Sequence, residues 1–157
     1  MRKFLLATAA TLGFATSSMA ADVAINKSWE GHNTKEYCYA ISFPVDERAS
    51  QNDRYLTVTH RPSEKIRDEI AVVSGFPEDA NIEGSVRIDQ NLPFKMLVYK
   101  GVGFLKSADV ERMMVAQMKA GLEMEVKWTD AEGAYHADKY SLVGFTASRN
   151  HIDGCKG

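Results

Sequence analysis

Two cysteines, Cys38 and Cys155, are all that occur in 157 residues, and their spacing excludes a CxxC redox site. Past the first twenty residues, no stretch is apolar over the roughly 20 residues needed to span a bilayer, so no transmembrane segment is expected. Lysine and arginine total 19 against 21 acidic residues. The clustered positive charge that neutralises phosphates is therefore missing, and no nucleic-acid partner is expected. Also absent are HExxH, a GxSxG nucleophile elbow, a phosphate loop and GxGxxG, which removes the commoner metalloprotease, hydrolase and nucleotide-binding chemistries. The expectation is a protein that is not an enzyme, with no catalytic residues, no metal and no cofactor. There is no internal repeat and no low-complexity segment.

The first twenty residues carry an export signal in the required order. Arg2 and Lys3 form a positive start, an apolar run follows from Phe4 to Phe14, and Ser18-Met19-Ala20 precedes Ala21. Small residues at Ser18 and Ala20 fit a signal-peptidase site with cleavage after Ala20. Alanine, threonine, glycine and serine dilute the apolar run, which is too short to serve as a membrane anchor. The residue directly after the cleavage point is Ala21 rather than cysteine, which argues against a lipoprotein. Residues 21–157 then form one domain, long enough to bury a substantial core. Losing Arg2 and Lys3 shifts the formal net charge from −2 to −4. The expected location is the periplasm or the outer envelope surface.

In an oxidising compartment two cysteines allow one intramolecular pairing, so Cys38 and Cys155 are expected to form a disulfide. Such a bridge closes a loop of over a hundred residues, worth roughly 4 to 5 kcal/mol by chain entropy before strain. The competing reading is a reactive thiol, for which His151 is the only histidine near either cysteine in sequence.

Period-two alternation of apolar and polar residues recurs in short runs bounded by turn residues, the mark of antiparallel sheet. The runs are 37–43, 54–60, 69–74, 85–89, 94–99, 122–128 and 139–146. Leu122, Met124, Val126 and Trp128 alternate with Glu123, Glu125 and Lys127, giving one core face and one wet face. Polar connections at 44–52, 75–84, 90–91 and 130–133 supply the turns, and the first two are the natural contact loops. One segment breaks the pattern. From Ala108 to Ala120, Val110, Met113, Met114 and Met118 fall at helical spacing between Ser107 as N-cap and Gly121 as C-cap. The methionine stripe reads as the face that packs on the sheet, with a pliable docking groove as the alternative. The fold class expected is all-β with one short helix, an immunoglobulin-like antiparallel β-sandwich of about seven strands.

Several residues could carry chemistry. His136 with Asp138, and His151 with Asp153, have the i, i+2 spacing that puts side chains on one face of a strand, so a small-ligand or metal-binding module is the alternative function. His60 follows Val58 on the alternating pattern and is either a hydrogen-bonded, half-buried histidine or a general base, the latter requiring an adjacent nucleophile. Glu123 and Glu125 share a strand face as a glycosidase pair would, and a solvated face is the ordinary explanation. Trp29, Trp128, Tyr135 and Tyr140 could line a sugar-binding surface, although Trp128 on an apolar face is first a core residue.

The order of Trp29, Cys38-Tyr39-Ala40-Ile41-Ser42, Tyr55-Leu56-Thr57-Val58-Thr59-His60-Arg61-Pro62, Glu69 through Phe76, Val86-Arg87-Ile88-Asp89, Met118-Lys119-Ala120-Gly121 and Tyr140 through Ser148, closed by Cys155, resembles the invasion-associated locus B (IalB) family. The resemblance covers nearly the whole chain after residue 20. It implies an exported bacterial protein with an immunoglobulin-like sandwich, at the periplasm or cell surface, linked in some pathogens to host-cell entry. It brings no catalytic residues. The chain departs from the family pattern at Phe104, where an Ala-Trp pair is expected, and at Asp130–Gly133, which replaces a Ser- and Arg-containing turn. The partner expected is an envelope or host-surface protein.

Overall fold

The computed structural model describes residues 22–46, 53–78 and 82–156. The expected export signal, and parts of the two loops at 44–52 and 75–84, lie outside the described residues. Ten strands follow in chain order: β1 (Asp22–Asn26), β2 (Trp29–Asn33), β3 (Cys38–Ser42), β4 (Tyr55–Arg61), β5 (Ile66–Val73), β6 (Glu83–Ile88), β7 (Phe94–Tyr99), β8 (Val102–Phe104), β9 (Glu123–Thr129) and β10 (Tyr135–Ser141). A 3-10 turn (Pro62–Glu64) joins β4 to β5, helix α1 (Ala108–Ala120) joins β8 to β9, and helix α2 (Phe145–Ile152) follows β10.

All ladder pairs are antiparallel, and the order is β1-β2-β3-β4-β5-β8-β7-β6-β9-β10. The all-β, sandwich-like class is as expected. Among the described residues the strands number ten rather than seven, and the two halves belong to one unbroken ladder. That sheet folds over so that inward residues of both halves share one core: Leu56, Val58, Ile70 and Val72 on one side, Val86, Ile88, Met96, Met124, Val126 and Trp128 on the other. Backbone bonds close the ends together. Val45 N–H donates to Lys139 C=O at 2.8 Å, and Ser28 N–H to Val143 C=O at 3.2 Å.

The chain reaches β6 by skipping two positions in the ladder, and the β6-β7-β8 meander then brings β8 back beside β5. Helix α1 carries the chain over from there to β9. Its Ser107 hydroxyl accepts from Val110 N–H, and its inward face is Met114, Val115 and Met118. The methionine stripe is thus mainly core, with Met113 left exposed. Glu111 on α1 also accepts the Ile70 N–H at 3.0 Å, satisfying a β5 donor where β8 is too short to reach.

Two expectations change. The run 139–146 is not one strand: β10 stops at Ser141, and Gly144, at φ 98°, turns the chain into α2. The alternation that turns Tyr140 and Leu142 inward breaks at that turn, since Phe145 falls on the outward phase of a strand yet is buried on the helix. The single helix expected is accordingly two among the described residues. Strands β1, β2 and β8 were not anticipated. Strand β8 is three residues long, and its signal is the Lys100-Gly101 turn, where both residues have positive φ (50° and 75°) as a two-residue hairpin requires.

Candidate functional site

Cys38 opens β3 and Cys155 follows α2, and the two are bonded with Cα atoms 5.8 Å apart. The thiol alternative therefore has no free cysteine among the described residues. His60 is the cross-strand partner of Cys38, is buried, and meets Asp68 Oδ1 through Nε2 at 3.1 Å. Asp68 also takes a two-pronged bond from Arg149 on α2, at 2.6 and 3.0 Å. Arg149 and Arg67 both reach Asp153. With both sulfurs in the disulfide, no cysteine nucleophile stands beside His60. The imidazole is a core histidine within a buried ionic cluster that fastens α2 to β4 and β5.

The four residues of the metal hypothesis are each engaged elsewhere. His136 stacks on Trp128, with ring centroids 4.0 Å apart, and bonds Asp130 at 2.8 Å. That bond, with the Ala134 and Glu132 N–H groups, holds the Asp130 carboxyl below its usual range and shapes the β9–β10 turn. Asp138 is buried and bonded to Arg54 at 2.8 Å and to the Ser74 hydroxyl. His151 and Asp153 lie at the end of α2, not on a strand, so i, i+2 spacing turns them about 200° apart and removes the shared face. Among the described residues, no group of three or more His, Cys, Asp or Glu is placed to hold a metal ion.

Glu125 pairs with Lys127 (2.7 Å) and Arg87 (3.0 Å), and these cations hold its carboxyl low, opposite to what a general acid needs. The aromatic quartet disperses. Trp29, Trp128 and Tyr140 are core residues, and only Tyr135 is exposed.

A different aromatic set faces solvent. The outward sides of β3, β4, β5 and β8 form a trough of about 760 Å³. Register places Ile41, Thr57, Ala71 and Phe104 in one row across the four strands. Short side chains at Thr57 and Ala71 make the floor, and Ile41 and Phe104 make the walls. Tyr39, Thr59 and Glu69 form the row on one side, and Tyr55 pairs with Val73 on the other. Tyr39 stacks on His32 at 4.7 Å and near Tyr37 at 5.8 Å, thickening one wall. The only charged lining residues, Arg61 and Glu69, pair with each other at 2.7 Å. An antiparallel sheet ordinarily turns polar residues to water on its outer face, so this strip of tyrosine, phenylalanine and aliphatic side chains is anomalous. The signal missed in the sequence is the aromatic content of these outward positions. Phe104, where the chain departs from the invasion-associated pattern, is one wall of the trough.

Fold and trough together define a disulfide-clasped antiparallel domain with an aromatic groove of no net charge on its outer sheet face. No protein-family model, curated protein or solved structure matches the chain.

Proposed function

We propose that the chain is an exported, non-enzymatic interaction domain of the bacterial envelope, of the invasion-associated locus B kind, acting in the periplasm or at the outer surface. The observation that carries the reading is the neutral aromatic and threonine trough, because half-exposed aromatic side chains gathered on an outer sheet face are costly in water without a partner. The covalent clasp between Cys38 and Cys155 suits an oxidising compartment. The export signal in residues 1–20 supports the same location. The acid–base candidates support no catalytic role, since His60 is bonded to Asp68 and Glu125 to Lys127 and Arg87.

The test is affinity capture with oxidised protein lacking residues 1–20, against envelope and host-surface fractions, followed by crosslinking. A component retained by the wild type and lost with Tyr39→Ala and Phe104→Ala is the expected result. Retention that ignores both substitutions, or no retained component from either fraction, removes the reading.

A further inference from the structure

We propose that the trough on β3, β4, β5 and β8 is a binding site for an uncharged saccharide chain. The inference rests on the interaction reading above and narrows it to one class of ligand.

Polarity decides between ligand classes first. The lining contains one cation and one anion, Arg61 and Glu69, and their 2.7 Å pairing leaves neither charge available to an ionic ligand. A phosphorylated or carboxylated ligand would have to break that pair, so a neutral occupant fits best.

Exposure decides next. Every lining residue is half-buried or exposed, none is buried, and the trough is open along its length. An acyl chain derives its affinity from leaving water altogether, and sites for such ligands enclose 70–90% or more of the ligand surface, by general survey. Lying in this trough, an acyl chain would keep one side wet. A pyranose ring suits the same geometry, since its C–H face can rest on an aromatic ring while its hydroxyls stay in water. The side chains match that division. Tyr55 and Phe104 lie outside the His32–Tyr39–Tyr37 stack and present apolar ring surface. Thr57 and Thr59, between the walls, offer hydroxyls that donate and accept. Tyr55 to Arg61 spans about 20 Å of strand, the length of a short oligosaccharide.

Titration calorimetry on the oxidised protein, with N-acetylglucosamine hexasaccharide and maltohexaose as probes, tests the assignment. Saturable binding of at least one hexasaccharide is expected. Tyr55→Ala should weaken it about tenfold, the size of one aromatic contact. Tyr135→Ala, on an exposed ring outside the trough, should leave it unchanged. The decisive variant is Thr57→Val, which keeps side-chain shape and removes only the hydroxyl. A saccharide site loses affinity with it, whereas an apolar-chain site keeps or gains affinity. Unchanged melting temperatures for these surface variants separate lost binding from lost fold. The proposal is overturned if neither hexasaccharide saturates the protein, or if Thr57→Val leaves binding intact while a dansyl-labelled fatty acid competes for the trough. A trough-dependent protein captured from the envelope, with no saccharide binding, would leave the interaction reading standing and remove this one.

Discussion

Asp68 has a left-handed backbone, φ 61°, at the irregularity where the register between β4 and β5 shifts. Non-glycine residues hold that conformation at a cost, so something must fix it there. The partners do: His60 and Arg149 bond both carboxylate oxygens inside the protein. Burial pushes the Asp68 carboxyl up, but the His60 and Arg149 bonds and the guanidinium charge overrule it and hold it far below the usual carboxylate range. A carboxyl depressed in the folded state binds its proton more readily when unfolded. Its stabilising contribution is therefore complete above the unfolded value of about 3.9 and is lost as pH falls below it. Asp68→Asn is expected to cost about 1.5 to 3 kcal/mol at pH 7, because it takes the buried carboxylate from Arg149 and leaves that guanidinium only the half-exposed Asp153. Urea unfolding at pH 7, 4 and 3 checks both points, since the variant should lose less on acidification than the wild type. A variant within about 1 kcal/mol of wild type at neutral pH would show that the cluster is not what fixes this corner. His60 was legible in sequence as an inward residue. Asp68 was not, since a charge on the inward phase of an alternating run reads as the end of the strand, and Arg149 lies 81 residues away.

Helix α2 shows the same limit at the scale of an element. Hydrophobic spacing found α1, whose thirteen residues carry a repeating inward face and a serine cap. The eight residues of α2 are too few for that period to separate from a strand. What makes them helical is tertiary. Phe145 packs edge-on against Trp29 at 4.8 Å, Trp29 Nε1–H donates to Ser141 C=O at 2.8 Å, and Asn26 bonds the Ser148 hydroxyl at 2.9 Å. Gly144 cannot carry a side chain, since a Cβ there would collide with the Asn26 carbonyl. The disulfide just past α2 is thus one attachment among several. Cys155→Ser should keep a cooperatively folded domain while losing up to about 5 kcal/mol, the entropy of the loop opened by breaking a link of sequence separation 117. Denaturant midpoints of the oxidised wild type and the variant measure the difference. An unchanged midpoint would mean that the Trp29 and Arg149 contacts alone hold the helix.

At the scale of the molecule, alternation identified which residues face inward on most strands but carried no information about strand order. Nothing local says that β5 pairs with β8 before the chain reaches β9. The neighbours are chosen by which apolar faces meet, and two buried ionic clusters at opposite ends of the β4–β5 hairpin then fasten the result. At one end His60, Asp68 and Arg149 tie the hairpin to α2. At the other, Arg54 at the start of β4 and Ser74 after β5 both bond Asp138 on β10. The hairpin whose outer face floors the trough is therefore held from beneath at both ends, so the shape of the trough depends on residues that do not line it. Asp138→Ala takes the buried carboxylate from Arg54, whose side chain is 23% exposed, and is expected to destabilise by about 1.5 to 3 kcal/mol. Amide exchange gives the more specific reading. Protection should fall first in β10 and at the Arg54 end of β4, while the His60 end, held by its own cluster, retains it. Exchange that rises evenly along β4 and β10 would mean that the apolar core alone joins the halves, and that the ionic clusters do not act as separate fastenings.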